Sequence, residues 1–322
     1  MKAKPAIDHA LKQQIRELIK SKGGGNNEQE VADIIENALK LLTDVQDTGD
    51  ARIIRTAVRE LRYAFRLFAP YLGKRKVTIF GSARTQPDAL EYQQAVEFGR
   101  KIVKAGFMVI TGAGSGIMQA GHEGAGSQNS FGVNIRLPWE QSANPIIAED
   151  KKLVTFKYFF TRKLIFIRHS DAIVLFPGGF GTFDEGFEAL TLMQTGKSQL
   201  LPLVLVDKPG GTYWKTWDIH IREELLSHKL ISPEDLNLYQ ITDSVDEAVK
   251  IILAGDSTGA KTEKDQKRMM TEISKLLGAA DGKLDVKDYD RTVAELMAGG
   301  SDPVITKKPE GAYSFAVYDA MK

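Results

Sequence analysis

The sequence has 322 residues, 43% hydrophobic and 26% charged, with 43 lysines and arginines against 42 aspartates and glutamates. That balance suits a globular chain with one substantial core and smaller appendages, and it supplies no global field to draw nucleic acid or a membrane surface. The absence of cysteine excludes disulfides, thiolate nucleophiles and cysteine-bound zinc, and it suits a reducing compartment, the cytoplasm.

The opening MKAKPAIDHALKQQIRELIKSKGGG is charged throughout, unlike a secretory signal. The most apolar stretch, YFFTRKLIFIRHSDAIVLF, is cut by Arg162, Lys163, Arg168, His169 and Asp171, so no membrane span is expected. Residues 7–21 and 28–70 repeat apolar positions every three or four residues, with Gly23, Gly24 and Gly25 between them. This predicts a helical extension over 1–72. From Lys76 the pattern changes to short β-rich runs, KVTIF, FMVIT, FGVNIRL, LVTF, AIVLF and LPLVLV, alternating with amphipathic stretches. Such alternation predicts an α/β, Rossmann-like doubly wound parallel sheet over 73–255. Residues 256–322 read as a small helical tail, with amphipathic segments near 264–277 and 285–298.

In a doubly wound sheet, ligands bind where strands run into helices. Glycines collect at three such junctions: Gly81 and Ser82 after the first strand, Gly112, Gly114 and Gly116 after the second, and Pro177 to Thr182 after the fifth. A helix start leaves backbone N–H groups unpaired and carries partial positive charge. The segment PGGFGT, with Gly178, Gly179, Phe180, Gly181 and Thr182, therefore reads as a phosphate cradle. Thr182 and Glu185 also have the spacing of a capping box, which would occupy both side chains with helix-end amides.

Other motifs fit poorly. Gly112-x-Gly114-x-Gly116 lacks the dinucleotide spacing and follows the second strand, and the TGKS at 195–198 ends a helix instead of following a strand. DGKLDVKD lacks the first carboxylates of a calcium loop. SHK at 227–229 has no partner set for a Schiff-base lysine, and the five histidines show no metal-ligand spacing. His169-Ser170-Asp171 lie too close along the chain to build a triad. Two cations need an explanation: Arg162 and Lys163 sit in a nearly all-apolar helical stretch and must either snorkel outward or face an anion.

PGGFGTFDE at 177–185 matches the P-G-G-x-G-T-x-x-E signature of the LOG family of cytokinin-activating phosphoribohydrolases, once called lysine decarboxylase-like. FTRK at 160–163, GSAR at 81–84 and TGAGSGIMQAG at 111–121 resemble its other landmarks in the same order, so that the likeness covers about 76–254. The resemblance implies hydrolysis of the N-glycosidic bond of a nucleoside 5′-monophosphate, with Arg162 and Glu185 catalytic. It implies that Gly179, Gly181 and Thr182 take the 5′-phosphate, that Asn144, Lys163 and Thr191 join the substrate shell with Phe180 and Asp184, and that no metal or organic cofactor is needed. It also implies a homodimer or larger homo-oligomer. Asn144 stands where plant members have glutamate, and Phe183 and Asp184 replace leucine and glutamate. The alternative is a non-catalytic carrier of a nucleotide or molybdopterin-type cofactor, which needs the cradle and has no use for a carboxylate at the sugar.

Overall fold

A computed structural model of the chain describes residues 9–138 and 142–257, so the segments expected to be helical near 264–277 and 285–298 lie outside the described residues. The chain divides into two units, one up to Tyr63 and one from Ala64. The first holds α1 (His9–Ser21), α2 (Glu28–Asp44) and most of α3 (Thr48–Phe68). Gly23, Gly24 and Gly25, all at positive φ, turn the chain between α1 and α2, and Lys12 reaches Glu36 across them at 3.9 Å. The periodic stretch 28–70 is thus two helices, parted where Val45 turns extended. The division between units falls inside α3, ahead of the limit at 72 expected from the sequence.

In the second unit the strands are β1 (Lys76–Phe80), β2 (Met108–Thr111), β3 (Ser130–Ile135), β4 (Leu153–Phe156), β5 (Ala172–Leu175), β6 (Leu203–Val206) and β7 (Gln240–Thr242). They form one parallel sheet in the order β4-β3-β2-β1-β5-β6-β7. The central strands β1, β2 and β5 are buried along their whole length, which is why they read as continuous apolar runs. The described helices of this unit are α4 (Leu90–Lys104), α5 (Ile117–Ala125), α6 (Phe159–His169), α7 (Phe180–Gln194), α8 (Tyr213–His220), which continues into a π-helical turn at Ile221–Leu226, and α9 (Val245–Ser257). The doubly wound parallel sheet is as the alternating pattern predicts. β7 is a strand that the pattern did not predict: three residues with one buried side chain carry too little periodicity.

This strand order places the crevice. The chain winds outward from β1 through β2, β3 and β4, then returns to the other side of β1 as β5, so the winding reverses between β1 and β5. Loops leaving the carboxyl ends of strands on either side of such a reversal diverge and leave an opening. The loops leaving β1 and β5 carry Gly81 and Gly178.

Next to that opening, α4 and α5 cross at backbone contact. A methyl group on Gly124 would lie 2.0 Å from Val96 O, and one on Gly99 would lie 2.6 Å from Gly121 O. Neither neighbour is a flexible side-chain end, so the helices would have to part. We expect Gly124→Ala to lower unfolding free energy by about 1–3 kcal/mol, the usual range for overpacking, measured by urea denaturation.

Candidate active site

Three loops meet at the crevice, and Ser82 joins them through its backbone. Its N–H donates to Pro177 O at 3.1 Å, and its C=O accepts from Ile117 N at 3.0 Å. Ser115 Oγ adds a bond to Ala83 O at 2.8 Å. Gly116, at φ +62 before α5, allows the approach, since a Cβ there would stand 2.3 Å from Ser82 O. Gly81 likewise packs on Ile117, where a methyl would meet the side chain at 2.7 Å.

The second loop is held from beneath. Ala113 takes a positive φ of 61°, a costly conformation for a residue with a side chain. Its N–H donates to Thr111 Oγ1 at 2.9 Å, and its carbonyl accepts from Asn144 N at 2.7 Å. Asn144 Nδ2 donates to Gly114 O at 3.0 Å and its amide also meets His122 Nδ1. The buried His122 ring lies 3.0 Å from Thr111 Oγ1 and 3.1 Å from Phe131 O, and burial pulls its pKa down to about 4, so it stays neutral at pH 7. Asn144, expected in the substrate shell, is buried, with its amide bonded to the Gly114 carbonyl and to His122. Gly112 serves a neighbouring cation, since a Cβ there would stand 3.0 Å from an Arg162 guanidinium nitrogen.

The fifth-strand loop behaves differently. Gly178 is tight: a Cβ would lie 2.0 Å from Thr182 Oγ1 and 3.0 Å from Ser82 N. Gly179, the residue before α7, and Gly181, in its first turn, face open space, with no atom within 4 Å of an added Cβ. Gly179 has an ordinary φ of −92°, and Gly181 lies within the helix. A helical glycine destabilises by about 1 kcal/mol relative to alanine, so neither sterics nor backbone geometry calls for glycine at 181. The amides of Gly179, Phe180 and Gly181 find no acceptor among the described residues, as geometry dictates at a helix start. Tyr213, at the start of α8, donates its hydroxyl to Gly178 O and so fixes the loop from the next strand junction. Sequence reasoning passed over this tyrosine, although it stands at the glycine-rich end of β6, beside β5.

The capping box is not formed. α7 starts at Phe180 after Gly179, with no side-chain cap, and Glu185 turns instead toward Lys163. Lys163 Nζ lies 2.7 Å from Glu188 Oε2, 3.0 Å from Asp184 Oδ2 and 3.3 Å from Glu185 Oε2. Burial works to lower the Lys163 pKa, but the carboxylates outweigh it and raise the value. Glu185 is 6% exposed. Burial raises its carboxyl above the ordinary glutamate range, against the opposing pull of Lys163 and then Arg162.

Arg162, one residue earlier on α6, is 9% exposed. Its guanidinium lies 5.1 Å from the Phe166 ring centre and 5.7 Å from that of Phe159, and its Nε has no hydrogen-bond partner among the described residues. It makes no ion pair with a described carboxylate, so the ionic partner of Glu185 is Lys163 and not Arg162. Burial lowers the Arg162 pKa, which Glu185 and Asp184 partly offset. A buried cation with an unfilled donor is an invitation to an anion. Phe180 (96% exposed) and Thr191 lie on the open surface of α7. No group of three or more His, Cys, Asp or Glu among the described residues is placed to hold a metal, and none of their helices is long and apolar enough to cross a membrane.

Residues 113–252 match a protein family described as "Possible lysine decarboxylase". The chain is 31% identical over 144 residues to the cytokinin riboside 5′-monophosphate phosphoribohydrolase LOG of Oryza sativa subsp. japonica, covering 42% of this chain and 53% of that protein. It is 28% identical over 138 residues to the pyrimidine/purine nucleotide 5′-monophosphate nucleosidase of Escherichia coli K12, covering 40% of this chain and 30% of that protein. The chain thus spans about half the length of the rice relative and less of the bacterial one. Among solved structures, the molybdenum cofactor binding protein of Rippkaea orientalis aligns with a TM-score of 0.38 and 21% identity over 56% of this chain and 96% of that one.

The two kinds of glycine in the loop separate by stability. Gly178→Ala should lower unfolding free energy by about 1–3 kcal/mol through its clash with Thr182. Gly181→Ala should leave it unchanged or raise it by up to about 1 kcal/mol, both read from urea denaturation.

Proposed function

We propose that this chain is a member of the LOG family and a nucleoside 5′-monophosphate phosphoribohydrolase, acting on AMP or a cytokinin riboside monophosphate. The observation that carries this reading is the pair Gly179 and Gly181, bare toward open space at the start of α7. Their missing side chains and free amides suit a phosphate monoester, which the helix start favours electrostatically. The relatives' names agree with such a substrate.

With the phosphate at the start of α7, the ribose extends toward Glu185, four residues beyond Gly181 and so on the same helix face. The C1′–N bond breaks with its electron pair leaving on the base, which takes up a proton, and positive charge builds on the ribose ring. The Glu185 carboxylate stabilises that charge and orients the water, whose oxygen bonds to C1′ as one of its O–H bonds breaks, the proton released balancing the one taken up by the base. Lys163 keeps Glu185 ionised despite its burial and draws Asp184 and Glu188 aside. Arg162 supplies its unfilled donor to the anionic substrate. Phosphate binding positions the reacting carbon, and no metal or organic cofactor enters the reaction. The protein acts in the cytoplasm as a homodimer or larger homo-oligomer, without nucleic acid or membrane as partner.

Full-length protein incubated with a panel of nucleoside 5′-monophosphates should release free base, separated by chromatography. Glu185→Gln should bind AMP as before and lose at least about a hundredfold in rate, the lower range for such a group. Gly181→Ala should weaken AMP binding while folding normally. Tight AMP binding by the native protein with no base released from any member of the panel would overturn the enzymatic reading in favour of a carrier.

The pH profile offers a second check. Because burial raises the Glu185 pKa and only its ionised form serves, kcat should fall on the acid side at a pH above the ordinary glutamate range. Lys163→Met removes the charge that holds this pKa down, so the acid limb should move to still higher pH. An acid limb that does not move on this substitution would show that Lys163 does not govern the ionisation of Glu185.

A further inference from the structure

The exposed surface of the first unit is patterned in a way that the catalytic reading leaves unused. Along α2 the residues Val31, Ile34, Ala38 and Leu42 recur at three- and four-residue spacing and are all exposed, Ile34 by 54% and Leu42 by 82%. This is a continuous apolar seam on a helix, the pattern by which helices pair. α2 is otherwise acidic, with Glu28, Glu30, Asp33, Glu36 and Asp44 against a single lysine, Lys40.

α3 carries the opposite charge on the same plan. Arg52, Arg55, Arg59 and Arg62 follow at spacings of three, four and three residues, placing them on one helix face, and all are exposed. None of the four makes an ion pair with a described carboxylate. Beside them on the helix surface run Ile54 and Val58, exposed by 41% and 48%. The acidic Glu60 of this segment is buried on another face. An apolar seam bordered by acid on α2 and an apolar seam bordered by arginine on α3 therefore occur within one unit.

We propose that these two faces pair with a second copy of this chain, α2 of one protomer against α3 of the other. A two-fold interface must be self-complementary, each patch meeting the other patch of its partner. An acidic seam and a basic seam on one chain satisfy that requirement twice over, whereas seams of like charge would repel. Apolar burial supplies the attraction, and the charged borders select the pairing and its register.

Charge reversal tests the pairing. One variant carries Arg55→Glu, Arg59→Glu and Arg62→Glu, which makes both faces acidic. A second carries Glu30→Lys, Asp33→Lys and Asp44→Lys, which makes both basic. Sedimentation velocity of the full chain should show each variant alone as an assembly half the native mass, with self-association weakened by at least about tenfold. An equimolar mixture should regain the native mass, because each face then finds its opposite in the other variant. Far-UV circular dichroism reports whether each variant keeps its helices, and the matching Arg→Lys triple should retain native assembly. A native protein that sediments as a monomer, reversed variants that keep the native mass, or a mixture that fails to restore it would each overturn the proposal. None of these residues belongs to the candidate active site, so base release from AMP is scored separately, and failure of either reading leaves the other standing.

Discussion

The backbone of Ser82 reaches two ways, to Pro177 through its N–H and to Ile117 through its C=O. These bonds pin together the loops that leave β1 and β5 and the first residue of α5. The placing of the phosphate-loop candidate beside the first two loops follows from this joint. It lets Gly178 pack under Thr182, which sets the start of α7, and α7 in turn carries Glu185 at a fixed distance along its axis. Because the joint uses main-chain atoms, it constrains backbone shape more than side-chain identity at residue 82. The neighbouring glycines at 81, 116 and 178 are required by the closeness of the approach.

Arg162 and Lys163 show how adjacent residues of like charge are put to opposite uses. They project from the same turn of α6, a helix that is apolar over most of its surface. Lys163 is surrounded by Asp184, Glu185 and Glu188, so its charge is met within the protein. Arg162 rests among phenylalanine rings with Nε unfilled. A desolvated cation is tolerable at such a place if an anion completes it for part of the protein's working cycle. Of the two neighbouring cations, one is balanced by carboxylates and the other has no ion-pair partner among the described residues.

Much of this was legible in the residue pattern. Apolar runs broken by glycine after the first, second and fifth strands pointed to the parallel sheet and the three converging loops, because β-branched runs and flexible turns are local signals. The signature around Glu185 marked the helix that carries it. What could not be read were the destinations of polar side chains. Thr182 and Glu185 have capping-box spacing, yet three-dimensional proximity gives Glu185 to Lys163. Asn144 lies in a segment without periodicity, and its work of holding Ala113 and Gly114 depends on His122, 22 residues earlier in sequence. Tyr213 braces Gly178 across 35 residues. β7 was missed for the converse reason: it is a strand because β6 offers it an edge, while its own three residues say little.

The sheet order also governs how the molecule comes into being. β1 sits between β2 and β5, and the hydrogen bond from Lys76 N to the Asp171 carboxylate spans 95 residues. The centre of the sheet therefore cannot close until a long stretch of later chain has been made, and closing so large a loop is slow because its entropy must be surrendered before the contacts that reward it form. On the ribosome the early half would wait with the free edge of β1 open to solvent. A chain cut between α5 and the fifth strand would hold the glycines of the first two loops and none of the amides at the start of α7.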